Sequence, residues 1–269
     1  MKSKSKAKKN YESKPTRNYL AGFPILTVCF FLLVAVFYAR KTALQPKSAD
    51  SPLVDTHFAL AQEHYRNRRY DLAITEYQES LKQNPTNVYA HYNLGQIFSE
   101  QNRFAEAKAE YAKALKLKPE YWEAHLGLGL LYQKNNQLDQ AIEEYMQVTK
   151  INSGYALAYY DLGSAYYQKN LPDQATAAYE RAVALDPSFA DAHYNLGYMY
   201  AHHSRLFDKA VEQFQKATEL NPKYTNAYFE LGLVYESKGL GAQAQEAWKK
   251  ALAIDPNYAP AQSKLKGLK

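Results

Sequence analysis

The sequence predicts an all-α protein, a solenoid of stacked helical hairpins. Three observations predict it. The hexapeptide AHYNLG occurs at Ala90–Gly95 and again at Ala192–Gly197, 102 residues apart, which is three times 34. Small, aromatic and proline residues recur at that same interval along most of the chain. Within each interval the apolar residues fall at i, i+3, i+4 and i+7, the spacing of one helix face.

The first 53 residues stand apart from the repeats. Ten Lys/Arg against Glu12 and Asp50 leave +8 there, and the chain total of +6 then leaves −2 for residues 54–269. The basicity belongs to a tail. A phosphate-tracking surface needs clustered Lys/Arg, so nucleic acid is not an expected partner of the repeats. Residues 1–17 read as a basic cytoplasmic tail. Residues 18–39, NYLAGFPILTVCFFLLVAVFYA, carry no charge. A helix of that length at ~1.5 Å per residue is ~33 Å long, enough for a hydrocarbon core of ~30 Å. Tyr19 and Tyr38 stand at its two ends, where interfacial aromatics belong. Seven Lys/Arg precede it and three follow. The positive-inside rule then keeps the N-terminus in the cytoplasm and sends the remainder across the bilayer. A cleaved signal peptide needs small residues before its cut. Here FYARKTAL puts Phe37 or Lys41 at the position that should be small, so an uncleaved signal anchor is expected. Residues 40–53 contain Pro46 and Pro52 and read as an extended tether, reaching at most ~50 Å. Cys29 is the one cysteine, which excludes an intramolecular disulfide and a cysteine zinc site.

Six frames of the period follow, 54–87, 88–121, 122–155, 156–189, 190–224 and 225–258. Position 7 is Leu60, Leu94, Leu128, Leu162, Leu196 and Leu231. Position 8 is Ala61, then Gly95, Gly129, Gly163, Gly197 and Gly232. Position 11 is His64, then Phe98, Tyr132, Tyr166, Tyr200 and Tyr235. Allowing for one extra residue near AHHSRLF in the fifth frame, position 20 is Ala73, Ala107, Ala141, Ala175, Ala210 and Ala244. Position 24 is Tyr77, Tyr111, Tyr145, Tyr179, Phe214 and Trp248. Pro85, Pro119, Pro187, Pro222 and Pro256 close five frames, and Ser153-Gly154 closes the third. Positions 4, 7, 8 and 11 make the buried face of a first helix; positions 20, 24 and 27 make that of a second. Proline disfavours helix in the residue before it, which ends the second helix. The small residues at positions 8 and 20 are expected to let the two backbones approach, with the aromatics at 11 and 24 filling the space beside them. Residues 259–269 look like the start of a seventh first helix, with Ala261 and Leu265 in register, serving as a polar cap.

This period and residue pattern resemble the tetratricopeptide repeat family, from Val54 to Tyr258. The resemblance implies a right-handed α-solenoid whose first helices line a concave groove. It also implies that positions 2, 5, 6, 9, 12 and 13 face that groove. Position 5 is Phe58, Tyr92, Leu126, Tyr160, Tyr194 and Phe229; Tyr65, Tyr167, Tyr198, Leu130 and Leu233 add to it. Position 6 supplies Asn93 and Asn195, each with a donor and an acceptor for a peptide backbone, together with Asp161 and Glu230. Charges there are mainly acidic. The implied ligand is an extended protein segment, apolar or Pro-rich and neutral to basic. The alternative is that several of these tyrosines only pack against adjacent repeats. Family members that clamp acidic chaperone tails use Lys, Arg and Asn. The matching positions here hold Phe58, Gln62, Asn93, Glu123 and Gly127, and Asn93 alone fits.

Four histidines, His57, His91, His125 and His193, share position 4. Stacked repeats separate them too far for one ion, so they read as packing residues. Glu143-Glu144 reads as a solvated face of a second helix. No Gly-rich phosphate loop, nucleophile elbow or paired carboxylate stands outside the repeat, so no catalysis, cofactor or small-molecule substrate is expected. The expected function is a non-enzymatic scaffold, anchored in a bacterial inner membrane with its repeats outside the cytoplasm. In this it resembles assembly factors for envelope complexes of the cytochrome c maturation, secretion or pilus type. The alternatives are a cytosol-facing organelle import receptor and a substrate-selecting subunit of a transferase.

Overall fold

A computed structural model describes residues 55–267; the basic tail, the candidate anchor and the tether lie outside the described residues. The described chain is helical throughout. The first helices are α1 (Thr56–Arg66), α3 (Val88–Glu100), α5 (Trp122–Lys134), α7 (Ala156–Gln168), α9 (Ala190–His202) and α11 (Thr225–Ser237). The second helices are α2 (Tyr70–Gln83), α4 (Phe104–Leu117), α6 (Leu138–Ile151), α8 (Pro172–Leu185), α10 (Phe207–Leu220) and α12 (Gly241–Ile254). The short α13 (Ala259–Lys266) ends the array. Each first helix packs on its own second helix, and each second helix packs on the next first helix. First helices also meet directly, α3 with α5 and α9 with α11. No helix among the described residues is long and apolar enough to cross a membrane.

Two turns of fixed geometry make the stack regular. Within a hairpin, position 15 is left-handed in every repeat: Arg68 (φ 56°), Asn102 (φ 60°), Asn136 (φ 57°), Asn170 (φ 60°), Arg205 (φ 53°) and Gly239 (φ 74°). Asparagine and glycine suit this region; arginine does not. Between hairpins the chain makes one repeated bond, from the amide of position 34 to the carbonyl of position 31. Examples are Tyr121 N to Lys118 O (3.1 Å) and Phe189 N to Asp186 O (3.1 Å). The third repeat lacks the proline and makes the same turn, Tyr155 N to Asn152 O at 3.2 Å. Proline assists this turn but does not create it. The extra residue of the fifth repeat is absorbed in the hairpin loop, where Leu206 N reaches back to Tyr200 O at 2.8 Å.

Glycine at position 8 does more than let two backbones approach. The ring of position 24 lies on the glycine itself. A Cβ built on Gly129 would stand 2.5 Å from Tyr145 Cε1, and one on Gly232 would stand 2.2 Å from Trp248 Nε1. Gly95, Gly163 and Gly197 meet Tyr111, Tyr179 and Phe214 in the same way. The aromatics at position 24 are therefore not beside the close approach, as the spacing suggested; they occupy it. Their alanine partners Ala73, Ala107, Ala141, Ala175, Ala210 and Ala244 are wholly buried.

Candidate functional site

The ladder at position 5 has a structural task. Tyr92 is only 7% exposed, between Tyr111 (ring centroids 5.9 Å apart) and Tyr121 (5.2 Å). Tyr160 lies between Tyr179 (5.8 Å) and Phe189 (4.8 Å), and Tyr194 between Phe214 (5.8 Å) and Tyr224 (4.9 Å). Phe58 meets Tyr77, and Phe229 meets Tyr258. Tyr92, Tyr160 and Tyr194 thus each tie their own second helix to the aromatic that closes the repeat. Such pairs contribute ~0.5–1.5 kcal/mol each beyond burial. Where position 5 is Leu126, Tyr155 turns instead to Trp122, with centroids 4.8 Å apart. Tyr92 is buried by these contacts, while Tyr160 and Tyr194 stay half-buried.

Position 6 is also partly engaged. Asn93 Nδ2 donates to the hydroxyl of Tyr77 at 2.9 Å, so the ring of one repeat bonds the first helix of the next. Asn195 stands in the same relation to Tyr179, and Asp161 acts on Tyr145. At Gly127 the equivalent side chain is missing and Tyr111 fills the place; a Cβ there would stand 2.7 Å from Tyr111 Cζ. Burial pushes the hydroxyls of Tyr77, Tyr111, Tyr145 and Tyr179 far above the ordinary phenol range, so all four are uncharged.

Positions 9 and 12 carry what remains open. Leu130 is 48% exposed and Tyr167 is 41% exposed. Tyr198 and Leu233 are half-buried beside them. Tyr167 and Tyr198 meet edge to face, with centroids 5.9 Å apart and planes at 86°. Tyr65, at the other end of the array, donates its hydroxyl to Glu100 Oε1 at 2.7 Å. Glu230 is held by His202, Nε2 to Oε2 at 2.8 Å. Glu123 is half-buried, and burial raises its carboxyl above the usual range. The face is therefore aromatic and aliphatic with carboxylates set into it.

The position-4 histidines lie away from this face and tie turn to hairpin. His125 Nδ1 is 2.6 Å from Glu144 Oε2, and its Nε2 is 2.9 Å from the carbonyl of Pro119. His91 repeats the pair with Glu110 (2.6 Å) and Pro85 (3.3 Å), and His193 with Gln213 (2.7 Å) and Pro187 (3.1 Å). His57 Nδ1 bonds Glu76 at 2.6 Å. Glu144 is thus a partner of His125 and not part of a solvated face. A cleft of about 450 Å³ opens beside His91, lined by Leu81, Pro85, Leu94, Phe98 and Glu110.

Comparison with known proteins agrees with this architecture. Tetratricopeptide repeat models match residues 58–107, 160–206 and 225–258, and TPR repeat models match 95–136, 134–170 and 207–239. No curated protein matches the sequence. Among solved structures, YrrB, described as a TPR protein with an unusual peptide-binding site, is 25% identical. It superposes with a TM-score of 0.63 over 71% of this chain and 97% of its own. MamA is 35% identical, with a TM-score of 0.58 over 62% of this chain and 96% of its own. PilW, a type IV pilus biogenesis factor, shares the fold at 19% identity, with a TM-score of 0.63 over 80% of this chain and 100% of its own. The matched segments together run from residue 58 to 258, and the chain belongs to the tetratricopeptide repeat family.

Proposed function

We propose that the chain is a membrane-tethered scaffold that holds an extended client segment along its concave face, without catalysis, during assembly of a bacterial envelope complex. One observation carries this reading. Leu130 and Tyr167 are exposed on the first helices, with Tyr198 half-buried against Tyr167, and exposed apolar side chains gathered on one face mark a binding site. The similarity to YrrB, whose solved structure is described by its peptide-binding site, supports it. The uncharged stretch 18–39 and the basic residues before it supply the anchor and its orientation. Tethering raises the local concentration of the groove at the membrane.

Photocrosslinking from an unnatural residue at Tyr167, followed by mass spectrometry, tests the groove. A specific client band is expected from the wild-type background, and Leu130→Ser with Tyr198→Ser should abolish it while helical content stays intact. Unchanged capture in that variant refutes the groove. Protease added to spheroplasts tests the topology: digestion of the repeats without lysis is expected, and protection until lysis refutes the extracytoplasmic placement.

A further inference from the structure

The concave face between the fourth and sixth repeats has a chemistry of its own. Tyr167 from α7 and Tyr198 from α9 stand at 86° to one another; Tyr167 is partly exposed and also meets His203, with centroids 6.0 Å apart. His202 lies against Tyr198 with centroids 4.3 Å apart, and its Nε2 holds Glu230 from α11 at 2.8 Å. Three first helices thus deliver two phenols, an imidazole and a carboxylate to one corner. The Glu230 side chain is 13% exposed, so its charge is less screened by water than that of a surface glutamate.

The field at this corner is negative. A hydrogen bond with Tyr167, then burial, then the charge of Tyr167 and last that of Glu230 push the Tyr198 hydroxyl up to about 12. Burial and then Glu230 raise the hydroxyls of Tyr194 and Tyr258 as well. The lysines that follow α7 and α11 are engaged elsewhere, Lys169 with Asp139 and Lys238 with Asp208. Facing His202 are Glu230, Tyr198 and, through Tyr198, Tyr167.

We propose that Tyr167, Tyr198 and Glu230 form a subsite for one guanidinium or ammonium group, the side chain of an arginine or lysine in the bound segment. This rests on the reading that the concave face holds an extended client. An aromatic face attracts a cation through its quadrupole, and the attraction grows when water is excluded. A carboxylate beside the ring supplies a charge-assisted hydrogen bond with a defined direction. The pair selects a cation over a neutral side chain of equal length more strongly than ring or carboxylate does alone. The segment then binds by its apolar residues along Leu130 and the half-buried rings of position 5, and is set in register by its one cation.

Selection of displayed 12-residue peptides on the full chain in detergent micelles tests this. The selected pool is expected to carry Arg or Lys at one dominant position. A selected arginine peptide and its citrulline counterpart, equal in shape but uncharged, should differ about tenfold in affinity. Glu230→Gln keeps an acceptor for His202 and should cut that difference to the few-fold the rings supply. Tyr167→Leu, at an exposed position, should weaken the arginine peptide about threefold. A pool with no preference for cations, or a citrulline penalty that survives both variants, overturns the subsite and leaves the groove standing. If no peptide is selected by a chain of intact helical content, the groove reading falls and the subsite with it.

Discussion

At the scale of single residues the fold depends on contacts between a missing side chain and a large one. Gly129 and Tyr145 show this most sharply, with a virtual Cβ 2.5 Å from the ring of a residue that has no exposure at all. Gly129→Ala is expected to destabilise by ~1–3 kcal/mol through overpacking. Combined with Tyr145→Leu the loss should be far less than additive, because the clash has gone; a double-mutant cycle in urea measures the coupling. Additive losses would mean the ring can step aside. The glycine rhythm was legible in the sequence because one residue type recurs at one spacing. The left-handed position 15 was not, because Arg68 and Arg205 occupy it alongside three asparagines and a glycine. Arg68→Gly removes the strain of ~1–2 kcal/mol and adds chain entropy of ~0.5–1 kcal/mol to the unfolded state. A net gain of ~0.5–1 kcal/mol is expected in the urea midpoint, and a loss would show that the arginine side chain contributes more than its backbone costs.

At the scale of helices the position-4 histidines join three parts that are distant in sequence. His125 was visible as a periodic residue, but Glu144, 19 positions away on the second helix, and the carbonyl of Pro119 are brought to it only by packing. Both acceptors call for a donating ring nitrogen, so the arrangement is made by the imidazolium. Burial lowers the pKa of His125, but the Glu144 hydrogen bond and the Pro119 carbonyl together raise it above the ordinary value. A histidine raised on folding adds stability that is complete below about 6.5 and fades as pH rises through the folded value. Amide exchange in α5 and α6 should therefore quicken more between pH 6 and 8, after correction for intrinsic rates, than in Glu144→Gln, where the charge partner is gone. His193 offers a contrast, since Gln213 is uncharged and its amide can serve as either donor or acceptor. Equal pH response in wild type and Glu144→Gln would separate the latch from the stability of the repeat.

At the scale of the whole array, each hairpin is stable because its neighbours cover it, so the ends are the test of the architecture. Leu60 is 40% exposed where its counterpart Leu94 is 2% exposed, since no hairpin precedes α1 among the described residues. The other end is closed. Ala261 of α13 is wholly buried with Ala244, Trp248 and Ala251, and Leu265 packs against the same cluster. Gln262 Nε2 donates to the carbonyl of Pro256 at 2.7 Å, the bond that histidine makes in earlier repeats. The register of Ala261 and Leu265 made this helix legible; which tyrosines stay open was not, because spacing places a tyrosine on a face without saying whether its neighbour covers it. Tyr92 and Tyr167 occupy faces the pattern treats alike, and packing buries the first while leaving the second open. Truncation after Tyr258 removes one leucine and one alanine from the terminal cluster, a loss of about 2 kcal/mol. In a nearest-neighbour array that loss is local. Amide exchange should accelerate in α11 and α12 and stay unchanged in α1 to α6, and a uniform acceleration along the chain would show that the repeats unfold as one cooperative body instead of as a stack.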